Sequence, residues 1–178
     1  YPDRFIGAAS YDPYSFDRDG IRRFLFEELG FKIEKFEVST GSGVMATHPD
    51  FLIDGELMEE AFSYGERMGH VIVIDIGKCG SKSWQAEELK NAVTRHPGVN
   101  FVICHLLAPN GKQEEELKRA LEGLALPNIW FDLASVPHNC MDASEPWKRA
   151  GAYVRLARDL VGADKLLFGT DMPSALNE

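Results

Sequence analysis

Short runs of β-branched and aromatic residues alternate with stretches whose apolar positions recur every three or four residues, and this alternation repeats along the chain. Val71-Ile72-Val73-Ile74 and Phe101-Val102-Ile103-Cys104 are continuous apolar runs, the pattern of strands buried on both faces. Strands are predicted over 4–10, 31–38, 70–76, 100–106, 128–134 and 165–170. Between them lie helical stripes. The first is Ile21, Phe24, Leu25 and Leu29 with Gly30 as its stop, and the second is Leu57, Met58, Ala61, Phe62, Gly65 and Met68 before Gly69. A third helix is predicted to start at Ser83, with Glu87 and Glu88 early in it, and to pack through Leu89, Ala92 and Val93. A fourth buries Leu117, Ala120, Leu121 and Leu124. The fifth has Ser144 as N-cap, Pro146 in the first turn, a stripe of Trp147, Ala150, Tyr153, Val154 and Ala157, and Gly162 as its stop.

Strands alternating with helices at the period of a βαβ unit imply a parallel sheet, either a barrel or a doubly wound sheet. Both folds carry their working groups just past the C-terminal ends of the strands. The Gly-rich segments Thr40-Gly41-Ser42-Gly43 and Gly77-Lys78-Cys79-Gly80-Ser81 fall in such strand-to-helix loops. No composition break divides residues 1–178, so a single domain is expected.

Composition narrows the classes. Of the 178 residues 44% are hydrophobic and 26% charged, and no apolar run approaches the roughly 18 residues of a membrane helix. A formal net charge of -9 without clustered Lys or Arg argues against nucleic acid as a partner. Cys79, Cys104 and Cys140 stand far apart without metal-type spacing, and Cys104, inside an apolar strand, reads as a small hydrophobe. A reducing, cytoplasmic setting is expected. The start, Tyr1-Pro2-Asp3-Arg4-Phe5, has no signal-peptide pattern and reads as the middle of a domain.

The polar residues predicted at strand ends are Asp12, Glu37, Asp75, His105, Asp132, Ser135, Thr170 and Asp171. Asp75 and His105 each end an apolar run abruptly, where burial shifts a pKa or calls for an ion partner. A strand-end His is as readily structural as catalytic, and it is the company of Asp75 and Asp171 that turns His105 toward chemistry. His48 and His138 sit in top-face loops, each read as either an exposed side chain or a substrate contact. His70 falls at the opposite end of its strand and reads as structural, His96 lies near a helix C-terminus, and Trp84 and Trp147 read as core or shell. Lys35 reads either as a lysine with a buried stem and a free amine or as one pointing into the barrel mouth, and Glu37 as a carboxylate at the mouth.

Val102-Ile103-Cys104-His105-Leu106, then Asn128-Ile129-Trp130-Phe131-Asp132-Leu133-Ala134, then Leu166-Leu167-Phe168-Gly169-Thr170-Asp171-Met172-Pro173 resemble the last three strands of the amidohydrolase-2 branch of the amidohydrolase superfamily. That branch includes the aminocarboxymuconate-semialdehyde decarboxylase-like enzymes. Arg4-Phe5-Ile6-Gly7-Ala8-Ala9-Ser10 and Gly30-Phe31-Lys32-Ile33-Glu34-Lys35-Phe36 are similar to its third and fourth strands. The resemblance implies a TIM-type (β/α) barrel, incomplete in this chain at six of eight strands, with the first two βα units and the final helix missing.

It also implies a divalent metal, zinc first with manganese or magnesium as alternatives, and hydrolysis or non-oxidative decarboxylation of a small carboxylated or cyclic substrate. On this resemblance His105 and Asp171 are the catalytic pair and Asp171 and Asp75 are metal ligands, while His48, Glu37 and His138 are candidate substrate contacts from their own positions at the mouth. Two departures stand out. Asp75 occupies the place of the family's fifth-strand His, which shifts preference toward harder cations, and no His-x-His pair occurs anywhere in the sequence. The alternatives are a degenerate, non-catalytic barrel that only binds, and a phosphate-binding isomerase, which the charge of Asp171 opposes. Open sheet edges lead to an expectation of self-association or of a longer native chain.

Overall fold

The computed structural model describes residues 4–172. Six parallel strands form one sheet in chain order: β1 (Ala8–Ser10), β2 (Ile33–Glu37), β3 (Val71–Asp75), β4 (Asn100–Ile103), β5 (Ile129–Asp132) and β6 (Leu166–Leu167). Every predicted strand is present, each shorter than the apolar run suggested. Met172 is the last described residue of the Phe-Gly-Thr-Asp-Met-Pro segment, so Pro173 and the stub over 174–178 lie outside the described residues, as does Tyr1-Pro2-Asp3.

The helices are α1 (Arg18–Arg22), which continues as a π-helix over Arg23–Glu28, α2 (Val44–Thr47), α3 (Glu56–Met68), α4 (Ala86–Arg95), α5 (Glu114–Gly123), α6 (Val136–Asn139) and α7 (Pro146–Val161). Several corrections concern their phase and ends. The wider π turn rotates the first stripe, so Phe26 is buried while Phe24 and Leu29 are exposed. The third helix begins at Ala86 rather than Ser83, and α7 follows Glu145 rather than Ser144, with no side-chain cap in either case. Trp147, placed in the α7 stripe from its spacing, is 77% exposed. It sits in the first turn of α7. Met68, in the last turn of α3, is exposed likewise.

Strand alternation sorts side chains into two layers. Phe36, Val38, Ile72, Ile74, Ile76, Phe101, Ile103, Ile129 and Phe131 face the helices and form the core with Phe26, Met58, Phe62, Leu89, Leu117 and Tyr153. The opposite face carries Lys35, Glu37, Val73, Asp75, Val102 and Asp132, all half-buried. A polar pair lies within the core layer: Glu34 and His70, both wholly buried, meet with Nδ1 2.8 Å from Oε1. His70 is therefore structural, as its position at the far strand end implied.

β4 stops at Ile103, two residues before the predicted strand reaches His105. His105, Leu106, Leu107 and Ala108 all take positive φ, between 46° and 66°, so the chain makes a left-handed turn built without glycine. Such a conformation costs roughly 1–2 kcal/mol per residue, about 4–8 kcal/mol over four. Leu106 and Leu107 are fully buried, which returns about 1.5–3 kcal/mol each. The Trp84 indole N–H donates to the Leu107 carbonyl at 3.0 Å and the Cys79 N–H to that of Ala108 at 3.1 Å, adding about 1 kcal/mol apiece. The strain at the strand end is thus offset by what its side chains bury.

Candidate functional site

Register decides which polar groups meet. Glu37 pairs with Asp75 across β2 and β3, and Ile103 with Phe131 across β4 and β5, so the next positions, Cys104 and Asp132, continue the same row. Glu37, Asp75, Cys104 and Asp132 therefore stand side by side at the C-terminal edge on the concave face. Lys35 lies one layer below, level with Val73, and its Nζ rises to donate to Cys104 Sγ at 2.9 Å. Its amine is not free, which corrects the expectation for that residue, and Cys104 is a polar participant as well as a packed one.

The left-handed turn swings the His105 ring back over this row. Its Nδ1 lies 3.1 Å from the Ala134 carbonyl oxygen, which can only accept, so Nδ1 carries the hydrogen. Nε2 is left 3.2 Å from Asp75 Oδ2. The other Asp75 oxygen accepts the Gly77 N–H at 2.7 Å. Asp132 anchors the arrangement: its Oδ1 accepts the backbone N–H of both His105 and Ala134 at 3.0 Å.

Burial opposes the His105 imidazolium, but the hydrogen bond and charge of Asp75, aided by Asp132 and Asp171, outweigh it and raise the imidazole above its ordinary value. Burial likewise pushes Asp75 upward, yet the contacts with His105 and Gly77 and the charge of Lys35 hold its carboxyl below the usual range. Glu37 is raised by burial and then by the neighbouring Asp75. Burial pushes the Cys104 thiol up to about 12. Burial also works against the Lys35 ammonium, but Cys104, Asp75 and Glu37 together raise it.

Among the described residues one group of three potential metal donors lies close enough to share an ion. It comprises Asp75, Cys104 and His105, their ligand atoms all within 4.8 Å of one another. Two of the three were singled out in the sequence; Cys104 was not, because its spacing to any other Cys or His in the chain carries no metal signature. Asp171 stands outside the cluster, exposed, at φ 53°, its Oδ2 accepting the Ser135 hydroxyl at 2.7 Å. Toward β1, His48 stacks on Tyr14 with ring centroids 4.1 Å apart and meets Asp12 at 3.2 Å. Glu37 and Asp12 line a neighbouring cleft of about 350 Å3. His138 lines a separate cleft of about 310 Å3 with Lys78, Gln113 and Asp142. His96, at the α4 C-terminus, has Nδ1 3.2 Å from Glu66 and is structural.

Residues 1–178 match the sequence pattern of the amidohydrolase family Amidohydro_2 throughout. The chain belongs to the amidohydrolase-2 family. No curated protein matches it significantly. Among solved structures, an amidohydrolase from Burkholderia multivorans superposes with a TM-score of 0.71 at 16% identity, covering 93% of this chain and 58% of its own. The same protein has been crystallised with bound zinc. A putative 2-pyrone-4,6-dicarboxylic acid hydrolase from Pseudomonas putida gives 0.69 at 13% identity, covering 97% and 59%. The 2,6-dihydroxybenzoate decarboxylase from Rhizobium gives 0.56 at 15%, covering 97% and 62%. At these identities the likeness is one of fold. This amidohydrolase-2 chain spans about three-fifths of each relative's length, and its six strands form part of a TIM-type barrel.

Proposed function

We propose that this amidohydrolase-2 chain contributes the strand-end half of a metal-dependent site that hydrolyses or non-oxidatively decarboxylates a small carboxylated or cyclic substrate. The observation that carries the reading is the facing of His105 Nε2 and Asp75 Oδ2 at 3.2 Å while Nδ1 is tied to a carbonyl. Metal-binding histidines are held in this way, the second nitrogen donating to a carbonyl or carboxylate. A separation of 3.2 Å is also close to the edge of a tetrahedron whose centre lies about 2.0 Å from each ligand atom. The donor set therefore fits a divalent cation, whether zinc, manganese or magnesium.

Bound there, the cation supplies Lewis acidity to the mouth. The chain's own groups do the rest. Lys35 holds positive charge beneath a row of carboxylates and suits an anionic substrate group. His105, with Nδ1 anchored on the Ala134 carbonyl, has its Nε2 lone pair directed at the place where the cation would sit and so acts as a ligand rather than as a proton carrier. Asp171, on the rim with Ser135 and near enough for its charge to act on His105, is the proton acceptor of the mouth; Glu37 and His138 line the clefts beside it, and His48 meets Asp12 at the edge of the first. The Burkholderia protein's bound zinc and the decarboxylase and hydrolase names among the relatives support this chemistry for the class.

Metal analysis of the purified full-length protein tests it. About one zinc or manganese per chain is expected, lost in both Asp75→Ala and His105→Ala together with turnover of cyclic esters or aromatic carboxylates. Full metal content in both variants would overturn the assignment.

A further inference from the structure

The sulfur of Cys104 has two neighbours of opposite character. On one side are the Asp75 oxygen and the His105 nitrogen, within 4.8 Å; on the other is the Lys35 ammonium at 2.9 Å. We propose that Cys104 is itself a ligand of the cation held by Asp75 and His105, making the centre a thiolate, imidazole and carboxylate set that takes zinc or cobalt in preference to magnesium or manganese, with Lys35 contacting the sulfur when no cation is bound. The inference rests on the metal reading above and goes beyond it by adding a ligand and a selectivity.

Three observations carry it. Cys104 is inward-facing and only 5% exposed, yet its sulfur is not packed against carbon alone; it already attracts a cation. It belongs to the same row of the sheet as Asp75, so the pleat directs both toward one space. His105 follows Cys104 directly and is turned by the left-handed backbone until its ring overhangs that space. Asp75 alone would draw the site toward hard cations that prefer oxygen, and a sulfur from the adjacent strand reverses that preference. On binding, the thiol gives its proton to solvent base and sulfur donates the freed pair to the metal. The ammonium then loses its sulfur partner and turns to the remaining carboxylates, of which Glu37 is nearest in sequence and on the same face.

The test is a cobalt(II) titration of the full-length protein after chelation, followed by absorbance and repeated on Cys104→Ser, Cys104→Ala and Lys35→Met, with far-ultraviolet circular dichroism to confirm folding. A near-ultraviolet sulfur-to-cobalt charge-transfer band is expected at one cobalt per chain. It should vanish in both Cys104 variants while cobalt still binds at least about tenfold more weakly, and it should persist in Lys35→Met, which keeps the sulfur. Stoichiometric cobalt without the band, or a band that persists in the Cys104 variants, would overturn the sulfur ligand and leave the metal reading standing. No stoichiometric binding of cobalt or zinc overturns both.

Discussion

Glu34 is a carboxylic acid in a layer otherwise filled with Phe36, Phe26, Ile72 and Phe62, and replacing it with Gln should stabilise the protein at neutral and alkaline pH. Its side chain is wholly buried against the equally buried His70, and among the described residues Glu34 Oε2 and His70 Nε2 have no hydrogen-bond partner within normal distance. Burial raises the carboxyl from 4.5 to about 7, against the opposing pull of Arg22 and Tyr11. Burial, and then the charge of Lys32, lowers His70. Both groups are therefore disfavoured in their charged forms.

The sign follows from which state holds the proton. Between 4.5 and about 7 the unfolded chain has released the Glu34 proton while the folded chain keeps it, so this group's contribution is fully present below 4.5 and is lost as pH rises through 7. The loss amounts to about 3 kcal/mol. Gln keeps the shape and an acceptor for His70 but has no proton to lose. Urea unfolding of both proteins should give a stability difference of about 3 kcal/mol in favour of Glu34→Gln near pH 8, shrinking to about zero or reversing near pH 4.5. Parallel pH profiles for the two proteins, or a variant less stable than the parent at pH 8, would refute the account of Glu34 as a buried acid held neutral.

Two further outcomes concern the site. Asp132→Ala should cost about 2–3 kcal/mol in urea unfolding, since the N–H groups of His105 and Ala134 lose their common acceptor, and Asp132→Asn should recover most of it through its carbonyl oxygen. In chelated protein the His105 imidazole should titrate above 6.5 by NMR, and Asp75→Asn should bring it down. Because the folded value is raised, the imidazole's contribution is full below 6.5 and lost as pH climbs through the folded value, whereas that of Asp75, whose carboxyl is lowered, is lost in acid. A His105 that titrates alike in both proteins removes Asp75 as its partner.

Much of this was legible along the chain because it depends on local periodicity. The runs at Val71 to Ile74 and Phe101 to Cys104 announce buried strands, Gly30, Gly69 and Gly162 end helices, and Asp75, His105 and Asp171 close apolar runs where parallel folds place chemistry. What periodicity cannot carry is phase and register. A π turn after Arg22 exchanged Phe24 for Phe26 in the core, because one widened turn rotates every later side chain around the axis. Trp147 has the spacing of a buried stripe but occupies the first turn of α7 and stays exposed.

The site shows the same division. The sequence by itself determined that six parallel βα units would bring several ionisable residues to one end of a sheet, since strand and helix periods are properties of neighbouring residues. Only the tertiary structure decided that Glu37, Asp75, Cys104 and Asp132 share a row, because interstrand register is set by packing between segments some thirty residues apart. Register likewise brought Lys35 to Cys104 across 69 residues of chain. The left-handed turn at His105 is tolerated because Leu106 and Leu107 find a core to fill, and that core exists only once α4, β3 and β4 have come together.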